Sequence, residues 1–143
     1  MIAIICGGRT YGRVIKLNDL EDHERAVKEQ LRLVEYMEYF HIFHGLDTVI
    51  EGEASGADTL AKEWANAAGL NVVGMPADWG RFNNRAGPAR NQMMLTMLLR
   101  SVDKKAVVAF PGGPGTAHMV RITEYHNRSR NAEQIEIFKV DWD

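Results

Sequence analysis

Apolar residues follow two rhythms along this chain, short unbroken runs and longer stretches with a three- or four-residue step. Ile2 to Cys6 is an unbroken run closed by Gly7-Gly8, the pattern of a strand covered on both faces, as in a parallel sheet. From about Leu20 to Phe43, Val27, Leu31, Val34, Met37 and Phe40 recur at helical spacing until Gly45 interrupts them, which predicts a long amphipathic helix. Leu46 to Glu51 reads as a second strand. Ala57, Leu60, Ala61, Trp64, Ala65 and Ala68 then form a helical stripe ended by Gly69, and Leu70 to Met75 makes a third strand. Pro76 to Arg85 is polar and irregular. Gly87-Pro88 looks like a helix start, because proline at the first helical position gives up no needed hydrogen bond, and that helix should reach about Arg100. Ala106 to Phe110 is a fourth buried strand and Pro111 to Gly115 a glycine-rich loop. Thr116 can cap a helix running to roughly Arg128, and Gln134 to Val140 closes the series as a fifth strand.

Five strands alternating with four helices predict an α/β, Rossmann-like, doubly wound fold, with a mostly parallel five-stranded sheet and helices on both faces. Its 143 residues are the size of one domain, so residues 1–143 are expected to fold as a single unit. A net charge of −2 supplies no global basic field, which argues against a nucleic-acid partner. Cys6 is the only cysteine, so neither a disulfide framework nor a multi-cysteine zinc site can form within one chain. No apolar stretch reaches spanning length; the expectation is a cytoplasmic protein without membrane association.

In open parallel sheets ligands bind outside the carboxyl ends of the strands, so the loops that follow strands carry the candidate chemistry. Gly7 and Gly8 let backbone approach a ligand, with Arg9 beside them to pair with an anion. Gly52, Ser55 and Gly56 lead into the second helix, whose N-terminus can hold a phosphate. Within that loop Asp58 favours the helix N-terminus, while Glu53 either binds ribose hydroxyls or acts as an acid or base. Pro111, Gly112, Gly113, Gly115 and Thr116 form the strongest local signal, an anion cradle between strand and helix. It is neither a Walker A loop nor a GxGxxG fingerprint, so no cofactor is expected. Asp78, Trp79, Arg81, Arg85, Arg90 and Asn91 should border the same crevice. Arg90 sits near a helix start, where a cation opposes the dipole and a bound anion would account for it. His41 and His44 lie one helical turn apart without a matching ligand set, so no metal is expected. Met93, Met94, Leu95, Met97, Leu98 and Leu99 nearly encircle one helix, which suggests burial on more than one face or a subunit interface.

Gly7-Gly8-Arg9, the segment Gly52 to Asp58, Gly87-Pro88-Ala89-Arg90-Asn91-Gln92-Met93-Met94 and Pro111 to Thr116, taken in order, resemble the SLOG superfamily. That superfamily unites Lonely Guy phosphoribohydrolases, lysine decarboxylase-like proteins, the DNA-processing protein of natural transformation and predicted nucleotide sensors. The resemblance is nearest to its small single-domain bacterial and phage branch. It implies a nucleotide or nucleotide-derived ligand and a homodimer. In the Lonely Guy enzymes a Pro-Gly-Gly-x-Gly-Thr-x-x-Glu motif supplies phosphate-binding amides and a catalytic glutamate, assisted by an upstream arginine. Here the amide part matches at Pro111, Gly112, Gly113, Gly115 and Thr116, Arg90 falls at the assisting arginine, and Met119 stands at the glutamate position. A thioether cannot act as a general base, so a sensor or sequestering protein is the first expectation. The alternative is an N-glycosidase on nucleoside monophosphates, with Glu53 or Asp58 in place of the missing carboxylate and Arg90 beside it.

Overall fold

The computed structural model describes residues 1–142. Five strands, β1 (Ile2–Cys6), β2 (Thr48–Glu51), β3 (Asn71–Gly74), β4 (Lys105–Ala109) and β5 (Glu136–Lys139), form one sheet in the order β3-β2-β1-β4-β5. Every pairing is parallel. The expectation of a Rossmann-like sheet therefore holds, and "mostly parallel" becomes wholly parallel. Among the described residues no helix is long and apolar enough to cross a membrane.

Alternation along the strands sorts the core into two layers. Ala3, Ile5, Val49 and Val108 face α1 (Leu20–His44) and α2 (Ala57–Ala67). Ile4, Ile50, Val107 and Ala109 face α4 (Ala86–Arg100) and α5 (Pro114–Asn127). On α2 the buried residues Ala57, Ala61 and Ala65 repeat every fourth position, so a face of methyl groups lets the helix backbone lie close to the sheet. On α1 the buried residues are Ala26, Leu33, Met37 and Phe40, whereas Val27 and Leu31 from the predicted stripe are 52% and 63% exposed. The reason is polar: the N-terminal half of α1 turns Arg25, Glu29 and Gln30 toward the loop after β1. Gly12 N donates to Glu29 Oε1 at 2.8 Å, and Gln30 Nε2 donates to Gly12 O at 2.7 Å.

Three helix starts differ from expectation. The polar stretch before α4 contains a one-turn helix, α3 (Trp79–Phe82), opened by Asp78 accepting from Arg81 N at 3.1 Å, and then a 3-10 turn at Asn83–Arg85. The turn runs directly into α4, which begins at Ala86 and leaves Pro88 inside the first turn rather than opening it; all first-turn amides lack an intrahelical partner, so proline fits there equally well. Similarly, α5 opens at Pro114 with Gly113 as its cap and no side-chain capping bond. Thr116 is therefore within the first turn and is not the cap. On α4, Met94, Leu95 and Leu98 are buried but Met93 is 56% exposed.

Candidate functional site

The chain builds outward from β1 to β2 and β3 and then returns to the other side of β1 with β4, so the switch point lies between β1 and β4, where open α/β sheets bind ligands. At the carboxyl ends of these strands the two glycine-rich loops meet. Gly8 N donates to Pro111 O at 2.9 Å. A Cβ on Gly112 would stand 2.3 Å from Thr116 Oγ1 and 2.7 Å from Gly8 N, so the loops touch through backbone and admit no side chain between them. Gly113 and Gly115, by contrast, face open space. With no side chain capping α5, its first-turn amides and positive dipole end are presented to that space.

The loop before α2 packs against the same backbone. Gly56 takes φ 79, and a Cβ there would meet Gly8 O at 2.2 Å. Ala57 N donates to Gly8 O at 3.2 Å and Ser55 Oγ to Arg9 O at 3.1 Å. Asp58 is buried, and its Oδ2 accepts from Gly52 N at 3.1 Å and Ala54 N at 3.3 Å. Burial pushes its carboxyl up to about 6, against the amides and the Arg90 guanidinium that favour the charged form. Arg90, just past the first turn of α4, donates through Nη1 to Gly52 O and through Nε to Asn91 Oδ1 at 3.1 Å. Burial lowers its pKa from the ordinary value, partly offset by Asp58. Asn91 Nδ2 then reaches Gly115 O at 3.1 Å. One chain of hydrogen bonds thus connects the loop after β2, α4 and the start of α5.

These elements enclose a cleft of about 610 Å³, within the range of small-ligand sites. Gly7, Gly8, Arg9, Asp58, Arg90, Asn91, Gly113, Gly115 and Thr116 line it. Gly52, Ser55, Gly56, Pro111 and Gly112 do not line it but shape it through the contacts above. Trp79 lines the cleft with its indole 47% exposed, and the Arg9 guanidinium lies 5.4 Å from the ring centroid, within cation–π range.

Glu53 is not among the cleft-lining residues. Its backbone takes φ 57, and its carboxylate pairs with Lys62 at 3.1 Å. Beside it lies a residue that the sequence reading passed over as the end of a strand. Glu51 is fully buried; Oε2 accepts from Glu53 N at 2.6 Å, while Oε1 has no hydrogen-bond partner among the described residues. A Cβ on Gly74 would meet Glu53 Oε1 at 1.7 Å and Glu51 Oε1 at 2.9 Å, so the two carboxyls share the space that this glycine leaves. Burial raises the Glu51 pKa above the ordinary value, and Glu53 and Asp58 add to the rise. The Glu53 pKa is lowered by Lys62. Met119, at the position of the Lonely Guy glutamate, is fully buried in the core layer under α4 and α5. Three cleft residues were missed altogether, Asn84, His118 and Arg121, the last two on α5. The signal for His118 and Arg121 was available, since they follow Gly115 at three-residue steps and so continue the face of the first turn of α5.

Residues 1–82 match the model of the family described as YAcAr, the YspA, cpYpsA-related SLOG family. That span includes the loops after β1 and β2 and the Trp79 turn. No curated protein and no solved structure matches the chain.

Proposed function

We propose, since the chain belongs to the YspA, cpYpsA-related SLOG family, that the cleft binds a nucleotide or nucleotide-derived ligand with its phosphate at the N-terminus of α5. The family suggests nucleotide-related binding or processing; the finer reading rests on the geometry at the switch point. Its main support is the uncapped start of α5, open at Gly113 and Gly115, facing a cleft that also holds Arg9, Arg90 and Arg121. Backbone amides at a helix start and guanidinium groups both favour an anion, and the exposed Trp79 ring suits stacking of a base. Residues 1–143 act in this reading as a single nucleotide-binding domain, cytoplasmic and homodimeric, that senses or sequesters its ligand. The test is incubation of purified protein with nucleoside monophosphates, cyclic nucleotides and ADP-ribose, followed by mass spectrometry for retained ligand and free base. An intact nucleotide retained by the protein is expected; retention of none of them overturns the reading.

One observation favours the alternative of an N-glycosidase. Asp58 lines the cleft with Oδ2 held by two amides, and the structure gives Oδ1 no such partner. A fixed carboxylate with one free oxygen suits acid–base work or a ribose hydroxyl. Free base released by wild type and lost in Asp58→Asn would establish it, with Glu53→Gln as the comparison for the outlying carboxylate.

A further inference from the structure

His118 is held by an amide whose orientation is fixed from both ends. Asn91 Oδ1 accepts from Arg90 Nε at 3.1 Å, and Nδ2 donates to Gly115 O at 3.1 Å. Turning the amide over would set an N–H against the guanidinium and a C=O against the Gly115 carbonyl, so this orientation is the one that satisfies both neighbours. The second N–H of Nδ2 lies 3.0 Å from His118 Nδ1. An amide that can only donate at this position requires a lone pair on Nδ1, which puts the ring proton on Nε2. His118 Nε2 has no partner among the described residues and is not sealed from solvent, and the side chain lines the cleft beside the open start of α5.

We propose that His118 is a neutral, Nε2-protonated hydrogen-bond donor to a phosphate oxygen of the ligand, and that Asn91 is the positioning residue that fixes this tautomer. The inference rests on the reading of the cleft as a nucleotide site, but the tautomer itself does not. The charged groups lining the same cleft are Arg121 on α5, Arg90 on α4, Asp58 on α2 and Arg9 after β1. Burial and then Arg121 lower the His118 pKa, in keeping with a ring that stays neutral. A neutral donor gives the site directionality without a fourth cation.

The experiment uses the full chain labelled with 15N. Long-range 1H–15N spectra, with the His118 signals identified by their loss in His118→Gln, should show the Nε2–H form across about pH 7 to 8, with protonation displaced to lower pH than in a free histidine. An Nδ1–H form, or the titration of a free histidine, overturns the positioning role. In Asn91→Asp, a carboxylate facing Nδ1 should draw a second proton onto the ring, so the titration should move to higher pH; a ring that titrates as in wild type counts against it. Calorimetry with adenosine 5′-monophosphate and with inorganic phosphate tests the contact. His118→Ala should weaken binding by about tenfold or more, while His118→Gln, whose amide reaches the Nε2 position, should stay within about threefold of wild type. Equal losses in both variants, or none in alanine, overturn the contact. If wild type binds neither probe while the tautomer is as expected, the phosphate contact falls and the role of Asn91 stands; the nucleotide-site reading falls with it only if the wider panel of nucleotides is also not retained.

Discussion

Arg90 donates through Nη1 to the carbonyl oxygen of Gly52, tying the N-terminal part of α4 to the loop that follows β2. The guanidinium is so close that a Cβ on Gly52 would lie 2.4 Å from Nη1. Arg90 is therefore a brace as well as a cation. Arg90→Ala should lose about 1–3 kcal/mol of stability through the orphaned Gly52 carbonyl, along with ligand affinity. Arg121→Ala, whose side chain has no such bond, should weaken nucleotide binding with an unchanged melting temperature. Thermal melts and calorimetry on the two variants separate the roles; equal melting temperatures for both would show that the brace contributes nothing.

Neighbouring glycines of the α5 loop should respond in opposite ways. Gly113 is in an extended conformation, φ −96, with open space where a Cβ would stand, so Gly113→Asp should fold like wild type and abolish retention of a nucleotide by placing a carboxylate at the proposed phosphate position. Gly112→Ala would drive a methyl group into Thr116 Oγ1 and the Gly8 amide, and should lower the melting temperature. A Gly113→Asp protein that retains nucleotide as well as wild type would displace the phosphate from this loop.

Acid should strengthen the fold and neutral pH weaken it at Glu51. Its folded pKa lies above the ordinary 4.5, so the folded state keeps a proton that the unfolded chain releases. The stabilisation is complete below that ordinary value and is lost as pH rises through the folded value. Asp58 acts in the same sense between 3.8 and about 6. Glu51→Gln removes the Glu51 part of this slope and should exceed wild-type stability at neutral pH by about 1 kcal/mol or more, with little difference near pH 4. Denaturant titrations at the two pH values give the result, and parallel behaviour of variant and wild type would refute it.

Restoring the Lonely Guy glutamate should not restore the chemistry. Met119 sits in a sealed apolar layer, so Met119→Glu buries an unpaired charge and should destabilise the protein by about 3 kcal/mol or more. A variant that melts like wild type and releases free base from a nucleoside monophosphate would show that the helix can turn this position into the cleft.

The strands, their parallel arrangement and the main loops were legible because the central strands β1 and β4 are apolar runs ended by glycine or proline, as at Gly7 and Pro111. Periodicity failed on α1, where polar side chains that brace a loop occupy part of the inward face and Val27 and Leu31 turn outward. Glu51 was hidden by its place at the end of a strand, since nothing in a one-dimensional pattern says that a terminal carboxylate folds inward. The roles of Glu53 and Asp58 depend on which way a glycine-rich loop turns its side chains, and that follows from φ 57 at Glu53 and from the two amides that hold Asp58. His118 was legible by spacing, but its protonation is set by Asn91, which lies 27 positions away in the chain.

A Cβ on Gly7 would come within 2.6 Å of the Ala57 methyl group and 3.0 Å of the Phe110 Cβ. The smallness of residues 7 and 57 is thus one shared property of the pair. In the evolution of this family a larger residue at position 57 has no room to be accommodated by shrinking position 7, which is already glycine. The two sites should therefore remain locked together through sequence drift.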